Sequence, residues 1–201
     1  MNYPMKPEYT VSSPSFIRMV AVMVLLANLG RIGRYRLGRL MGVGEGEARG
    51  LLKYLIDHSY AEPARGGTRL TAKGLKYYHK AMGLLGVVKI VFLDISGILP
   101  FPQAPCIQVG GVQTLNVLAL RDECVRHGAE GALVMRFSGS RLSMPGVSED
   151  LSTDYPSLYS QVMSRVAPGD GDLLIMPYGR PLGRVVEGGL WAALKAIKQV
   201  V

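Results

Sequence analysis

The chain has 201 residues, enough for two small domains or one large one, each with a real core. Its 48% hydrophobic and 19% charged composition excludes wholesale disorder, and two cysteines, Cys106 and Cys124, are too few for a disulfide framework. The formal net charge of +8 is uneven: residues 1–84 hold 13 Lys and Arg against 5 Asp and Glu, whereas residues 85–201 hold 10 against 10. A basic segment joined to a neutral one points to a polyanion-binding part and a part with another task.

An apolar run at residues 16–29 (FIRMVAVMVLLANL) is too short for a membrane span, and Arg18 lies inside it. Gly30-Arg31-Ile32-Gly33-Arg34 follows where a signal peptide would need a small-x-small cleavage site. The run is therefore expected to be a buried first helix in a cytoplasmic protein, capped by Ser13 with Pro14 at its first position and stopped by Gly30. A second helix is predicted over residues 36–41, ended by Gly42-Val43-Gly44, and a third over residues 45–58. In the third, Ala48, Leu51, Leu52 and Leu55 recur at helical spacing and mark a buried face. The opposite face carries Glu45, Gly46, Arg49, Gly50 and Lys53, with Arg49 and Lys53 one turn apart. Residues 60–63 and 64–71 read as a strand, a glycine turn flanked by Arg65 and Arg69, and a return strand. Thr71 caps a fourth helix running to residue 82.

Helix, helix, turn, helix, two-stranded wing and helix is the order of a winged helix-turn-helix. The stretch LGRLMGVGEGEARGLLKYLIDHSYAEPARGGTRLTAKG resembles the DNA-binding domain of archaeal and bacterial transcription regulators. Leucine-x-x-leucine-methionine-glycine before the turn and Arg-Leu-Thr-x-Lys-Gly after the wing carry the resemblance. It implies that residues 45–58 enter the major groove, with Arg49 and Lys53 on base edges or phosphate. It also implies that the wing at residues 64–70, with Arg65, Thr68 and Arg69, meets backbone or minor groove, and that Arg31, Arg34 and Arg36 meet phosphate. Glu45 and Glu47 open the third helix, where the dipole would otherwise attract phosphate; Glu45 either accepts from a cytosine amine or pairs with Arg49.

After residue 84 the pattern changes period. Residues 87–95 (VVKIVFLDI) read as a buried strand, and a proline-rich turn at 99–102 leads to a short second strand around 106–109. A helix is predicted over 114–127, then a strand at 132–137 joined by Ser138-Gly139-Ser140 to a hairpin partner at 141–144. A helix over 155–166 follows the acidic loop 149–154; a strand at 172–176 and a last helix over 183–200 complete the chain. This β-β-α-β-β-α-β-α order implies a two-layer sandwich with helices on one face of a mainly antiparallel sheet. Without the second strand it becomes the ferredoxin-like β-α-β-β-α-β. The fold class is α+β, with domains at 1–84 and 85–201.

Taken whole, the chain resembles an archaeal family of winged-helix regulators whose second half is a domain of unknown function. GAEGALVMRFSGSRLSMPG, Tyr155-Pro156 and GDLLIMPYGRPLGRVVEGGLWAALKAI carry that resemblance. It implies a DCoH-like or GAD-like two-layer sandwich, akin to an insert domain of tRNA-handling enzymes.

Catalytic signatures are missing. Gly42-x-Gly44-x-Gly46 lacks the preceding strand of a dinucleotide loop, and the chain has no G-x-S-x-G, Cys/His pair or P-loop lysine. Glu149, Asp150, Asp154, Asp170 and Asp172 fit no calcium loop and read as solvated turns. His58, His79 and His127 lie near no metal-ligand spacing. No catalytic residue, cofactor or metal is expected. In the last helix Trp191 flanks the apolar face of Val186, Leu190, Ala193, Leu194 and Ile197 and reads as an interface or pocket residue. Gly188 and Gly189 imply close approach of another backbone or a ligand. Arg136 with Ser138 and Ser140 either offers polar groups to a small anion or forms a plain hairpin turn. The expected function is a homodimeric regulator on double-stranded DNA, its second half dimerising and sensing an effector. The alternative is a winged-helix module that binds RNA or a protein partner.

Overall fold

Helix α1 (Pro14–Leu29) starts where the Ser13 hydroxyl accepts from the Phe16 amide and ends at Gly30, whose φ of 74° suits glycine. The computed structural model describes residues 11–112 and 116–198, and the statements below concern these. Ten residues of α1 are buried between Phe16 and Leu26, so the helix is apolar on every side and needs enclosure on every side. Helix α2 (Arg34–Met41) and helix α3 (Glu45–Asp57) follow, and α3 buries Ala48, Leu51, Leu52 and Leu55 as its periodicity predicts. An antiparallel hairpin of β1 (Ala61–Ala64) and β2 (Gly67–Leu70) leads into α4 (Ala72–Leu84), capped by Thr71. Helix α1 packs on β2 and α4. One feature is absent from the sequence pattern: Ile32 and Thr68 exchange two backbone hydrogen bonds of 3.0 Å, tying the hairpin to the segment before α2. A Cβ on Gly67 would lie 2.6 Å from the Ile32 carbonyl carbon, so that bridge requires glycine.

The rest of the chain builds a five-stranded sheet in the order β3-β4-β7-β5-β6, every neighbouring pair antiparallel. Its strands are β3 (Val87–Leu93), β4 (Ala104–Val109), β5 (Gly131–Ser138), β6 (Arg141–Ser143) and β7 (Leu173–Tyr178). Its helices are α5 (Val117–Arg126), α6 (Leu151–Asp154), α7 (Pro156–Arg165) and α8 (Leu182–Lys198). Strand β4 is present, so the ferredoxin-like alternative does not hold. The helix expected at 155–166 is α7, opened by Pro156, whereas the acidic loop expected at 149–154 instead holds the short α6, capped by Asp150 through the Ser152 amide. The start at Thr114 and the end at Val200 expected for α5 and α8 lie outside the described residues.

Helices cover both faces of this sheet, which corrects the two-layer expectation. Ile90, Ile107, Ile175 and Val134 stand in register across four strands and share a core with Val186 and Leu190 of α8. On the reverse face Cys106, Leu174, Met176 and Met135 pack with Leu158 and Val162 of α7. The physical reason is legible in β7, LLIMPY: a continuous apolar run belongs to a strand covered on both sides, whereas alternation belongs to a strand with one wet face. The α8-side cluster continues across residues 84 and 85 into α1, α3 and α4, so the two segments share one core. No described helix is long and apolar enough to cross a membrane.

Two consequences can be tested. A Cβ on Gly188 would sit 2.5 Å from the Cys124 carbonyl oxygen, so Gly188→Ala must push α8 off α5. Overpacking of this kind costs about 1–3 kcal/mol, expected as a lowered urea midpoint with unchanged slope. Cys106 and Cys124 are buried and unpaired, and burial pushes both thiols from 9.0 up to about 12. A raised acid pKa stabilises the fold fully below the unfolded value, and that contribution is lost as the pH climbs from 9.0 towards about 12, where only the unfolded chain releases the protons. The urea midpoint should fall over that window, and neither thiol should react with a thiol reagent at neutral pH until the chain unfolds.

Candidate functional site

The exposed face of α3 and the hairpin beside it hold most of the residues singled out for polyanion contact. Arg49 is exposed but donates to Glu45 at 3.1 Å, and Arg34 of α2 reaches the same carboxylate at 3.0 Å. Lys53 pairs with Asp57 at 2.8 Å, and Arg69 pairs across the hairpin with Glu62 at 2.7 Å. Arg31 donates to the Arg65 carbonyl at 3.2 Å, bracing the hairpin turn against the segment before α2. These ion pairs are solvent-exposed and worth only about 0.2–1 kcal/mol each, so each cation can exchange its carboxylate for a phosphate. Thr68 is a correction. It is 7% exposed and held in the Ile32 bridge, so its side chain cannot meet a partner.

Glycine accounts for the shape of that face. Gly46 and Gly50 lie one turn apart on α3, and a Cβ on either would meet nothing within 4 Å. Gly83, in the last turn of α4, is equally open, whereas the other glycines inside helices are dictated by packing. A Cβ on Gly74 would run into the Tyr60 carbonyl oxygen, one on Gly183 into Met41, and one on Gly189 into Ile107 and Pro177. Each helical glycine costs about 1 kcal/mol relative to alanine. For Gly46 and Gly50 nothing within the chain requires that cost.

Glu47 turns the other way. Its carboxylate accepts from Arg18 of α1 at 2.9 Å, and Arg18 also reaches Glu187 of α8 at 3.2 Å. Arg184 completes the cluster on Glu187 at 3.0 Å. The charge inside the apolar first helix is thus a bracket joining α1, α3 and α8. Pro181, just ahead of α8, lies against the turn between α2 and α3, where a Cβ on Gly42 would meet its Cγ at 2.5 Å. Sequence reasoning missed this junction; the one signal for it was a lone arginine in an otherwise apolar run.

The positions proposed for an effector or interface are taken up internally. Gly188 and Gly189 admit α5 and the sheet, so the close approach they imply comes from this chain's own elements. Trp191 is half-buried and stacks on His127 with centroids 4.6 Å apart, so its ring is engaged within the chain. His127 also reaches Glu123 at 3.1 Å, and Lys195 reaches Glu123 at 2.9 Å. Burial opposes ionisation of Glu123, but Lys195, Arg126 and His127 outweigh it and hold the carboxyl below its ordinary range. Ser138 and Ser140 are exposed at the β5–β6 turn, near half-buried Arg136, but the Gly139 amide there already donates to Asp170 at 2.8 Å. The anion at that turn is the chain's own carboxylate. Among the described residues no group of three or more His, Cys, Asp or Glu side chains could hold a metal ion.

A glycine-faced helix carrying Arg49 and Lys53 beside an arginine-bearing hairpin, joined to a helix-covered antiparallel sheet, makes a mixed α+β architecture. Residues 103–197 match the family model described as Domain of unknown function (DUF4443). No curated protein matches the chain. Among solved structures, the hypothetical protein PH0730 from the archaeon Pyrococcus horikoshii OT3 is similar in fold. The two align with a TM-score of 0.71 and 23% identity over 96% of this chain and 95% of that one.

The Arg18 bracket makes a checkable claim. Replacing Arg18 with leucine leaves Glu187, 8% exposed at its side chain, with Arg184 alone. An underpaired buried carboxylate costs about 1–3 kcal/mol. Arg18→Leu is therefore expected to lower the urea midpoint, and Arg18→Leu/Glu187→Leu to recover part of the loss.

Proposed function

We propose that the chain binds duplex DNA as a winged helix-turn-helix regulator, with α3 in the major groove and the β1–β2 hairpin on backbone or minor groove. The observation that carries this reading is the row formed by Gly46 and Gly50 on α3, lying beside the row formed by Arg49 and Lys53. It is a bare helix face, costly to the fold and bordered on one side by cations, that suits close approach of a polyanion. Arg31, Arg34, Arg65 and Arg69 frame it, and Arg36 lies further along α2. Glu45 holds both Arg34 and Arg49 in the free protein, which supports a role as a competitor for phosphate. Since one recognition helix spans few base pairs, the regulator works as a homodimer on a two-fold site. Leu118 and Val125, exposed seven residues apart on α5, offer an apolar face for that contact.

Fluorescence anisotropy with labelled duplexes at varied salt tests the reading. The logarithm of affinity should fall steeply with the logarithm of salt concentration. Arg49→Ala and Arg69→Ala should each weaken binding, and Glu45→Gln should strengthen it at low salt by releasing two arginines. Gly50→Leu should abolish binding, while Gly46→Ala and Gly50→Ala each stabilise the fold by about 0.5–1 kcal/mol. Equal affinity for unrelated duplexes together with indifference to Arg49→Ala and Arg69→Ala would overturn it. Tighter binding to structured RNA than to any duplex would favour the RNA-binding alternative.

A further inference from the structure

The arginines near the α2–α3 turn fall into two groups. Arg34 and Arg49 share Glu45, and Arg69 of the hairpin pairs with Glu62. The guanidinium groups of Arg36 and Arg39 of α2 and of Arg180 in the β7–α8 loop make no hydrogen bond or ion pair among the described residues. All three line one groove of about 440 Å³, whose remaining walls are Leu40, Pro181 and Leu182. No carboxylate lines it.

The architecture builds this groove rather than leaving it to chance. Arg36 and Arg39 are three residues apart on α2, so their side chains project the same way, and Leu40 lies beside them. Arg180 is brought opposite because its backbone amide donates to Glu130 at 3.0 Å and because Pro181 seats on Gly42 at the end of α2. The first turn of α8 contains no acidic residue, so its amides add positive potential of roughly half an elementary charge. Three exposed guanidinium groups and a helix N-terminus give the groove a positive potential that favours an anion. Arginine's planar fork matches phosphate, and a phosphate monoester carries close to two charges. The half-buried Leu40, Pro181 and Leu182 provide an apolar floor that inorganic phosphate would leave unused.

We infer that this groove is a binding site for a small organic phosphate, its phosphate held by Arg36, Arg39 and Arg180 and its apolar body resting on Leu40, Pro181 and Leu182. Such a ligand bridges α2 and the approach to α8, elements separated by some 140 residues of chain, and so ties the charged surface to the sheet. The assignment shares Arg36 with the proposed duplex contact but rests equally on Arg39 and Arg180, which that reading does not use.

The test is isothermal titration calorimetry of the full chain with phenyl phosphate at low ionic strength, alongside inorganic phosphate and benzyl alcohol. Phenyl phosphate is expected to bind saturably, more tightly than inorganic phosphate, and benzyl alcohol not at all. Arg39→Ala and Arg180→Ala should each weaken phenyl phosphate binding about tenfold, the scale of one lost charge-assisted contact. Arg121→Ala, which removes an exposed arginine on α5, should leave it unchanged; thermal unfolding of every variant confirms that each is folded. Absence of saturable binding in the millimolar range would overturn the inference, as would equal weakening by Arg121→Ala. A third result would also overturn it: Arg39→Ala and Arg180→Ala weakening duplex DNA binding while phenyl phosphate gives no heat. The groove would then be a contact for the DNA backbone.

Discussion

Everything in this fold depends on the enclosure of α1. A helix with buried residues on all sides cannot sit on a surface, so no single layer of neighbours suffices. The hairpin and α4 cover part of it, and α8 with β3 covers the rest. A basic segment and a neutral segment, separable by charge alone, thereby acquire a common core. At one end the Arg18 guanidinium joins Glu47 and Glu187, so the only charge in the helix becomes the point where α1, α3 and α8 are aligned.

That alignment sets the charged surface. Because Glu47 is drawn inward to Arg18, only Glu45 of the two acidic residues opening α3 remains among the outward cations. Because Pro181 seats on the α2–α3 turn, Arg180 of the otherwise neutral segment is carried to α2. The net charge of each segment is therefore a poor guide to where positive potential is strongest. Compensation by neighbouring carboxylates matters more, and it leaves Arg36, Arg39 and Arg180 unmatched while Arg49, Lys53 and Arg69 are matched.

Glycines show the same division between packing and surface. Gly67, Gly74, Gly183, Gly188 and Gly189 are forced by backbone or side chain within the van der Waals radius of a Cβ. Gly188 and Gly189 of α8 and Gly46 and Gly50 of α3 all occupy helices, where glycine is unfavourable. One pair answers to α5 and the sheet, and the other answers to nothing inside the chain.

The sequence by itself determined the local structure. The Ser13 and Thr71 caps, the Ala48, Leu51, Leu52 and Leu55 face, the glycine hairpin and the strands from β3 to β7 all follow from nearest-neighbour stereochemistry and periodicity. It also marked Arg49 and Lys53 as lying on the exposed side of α3, since one helical period decides that. Only the tertiary structure decided that helices cover both sheet faces, that Trp191 stacks on His127, that Thr68 is buried, and that Arg180 stands beside Arg39. Those facts depend on pairings between residues far apart in the chain, such as Ile32 with Thr68 and Gly42 with Pro181. A repeat of two or 3.6 residues carries no information about such distant partners.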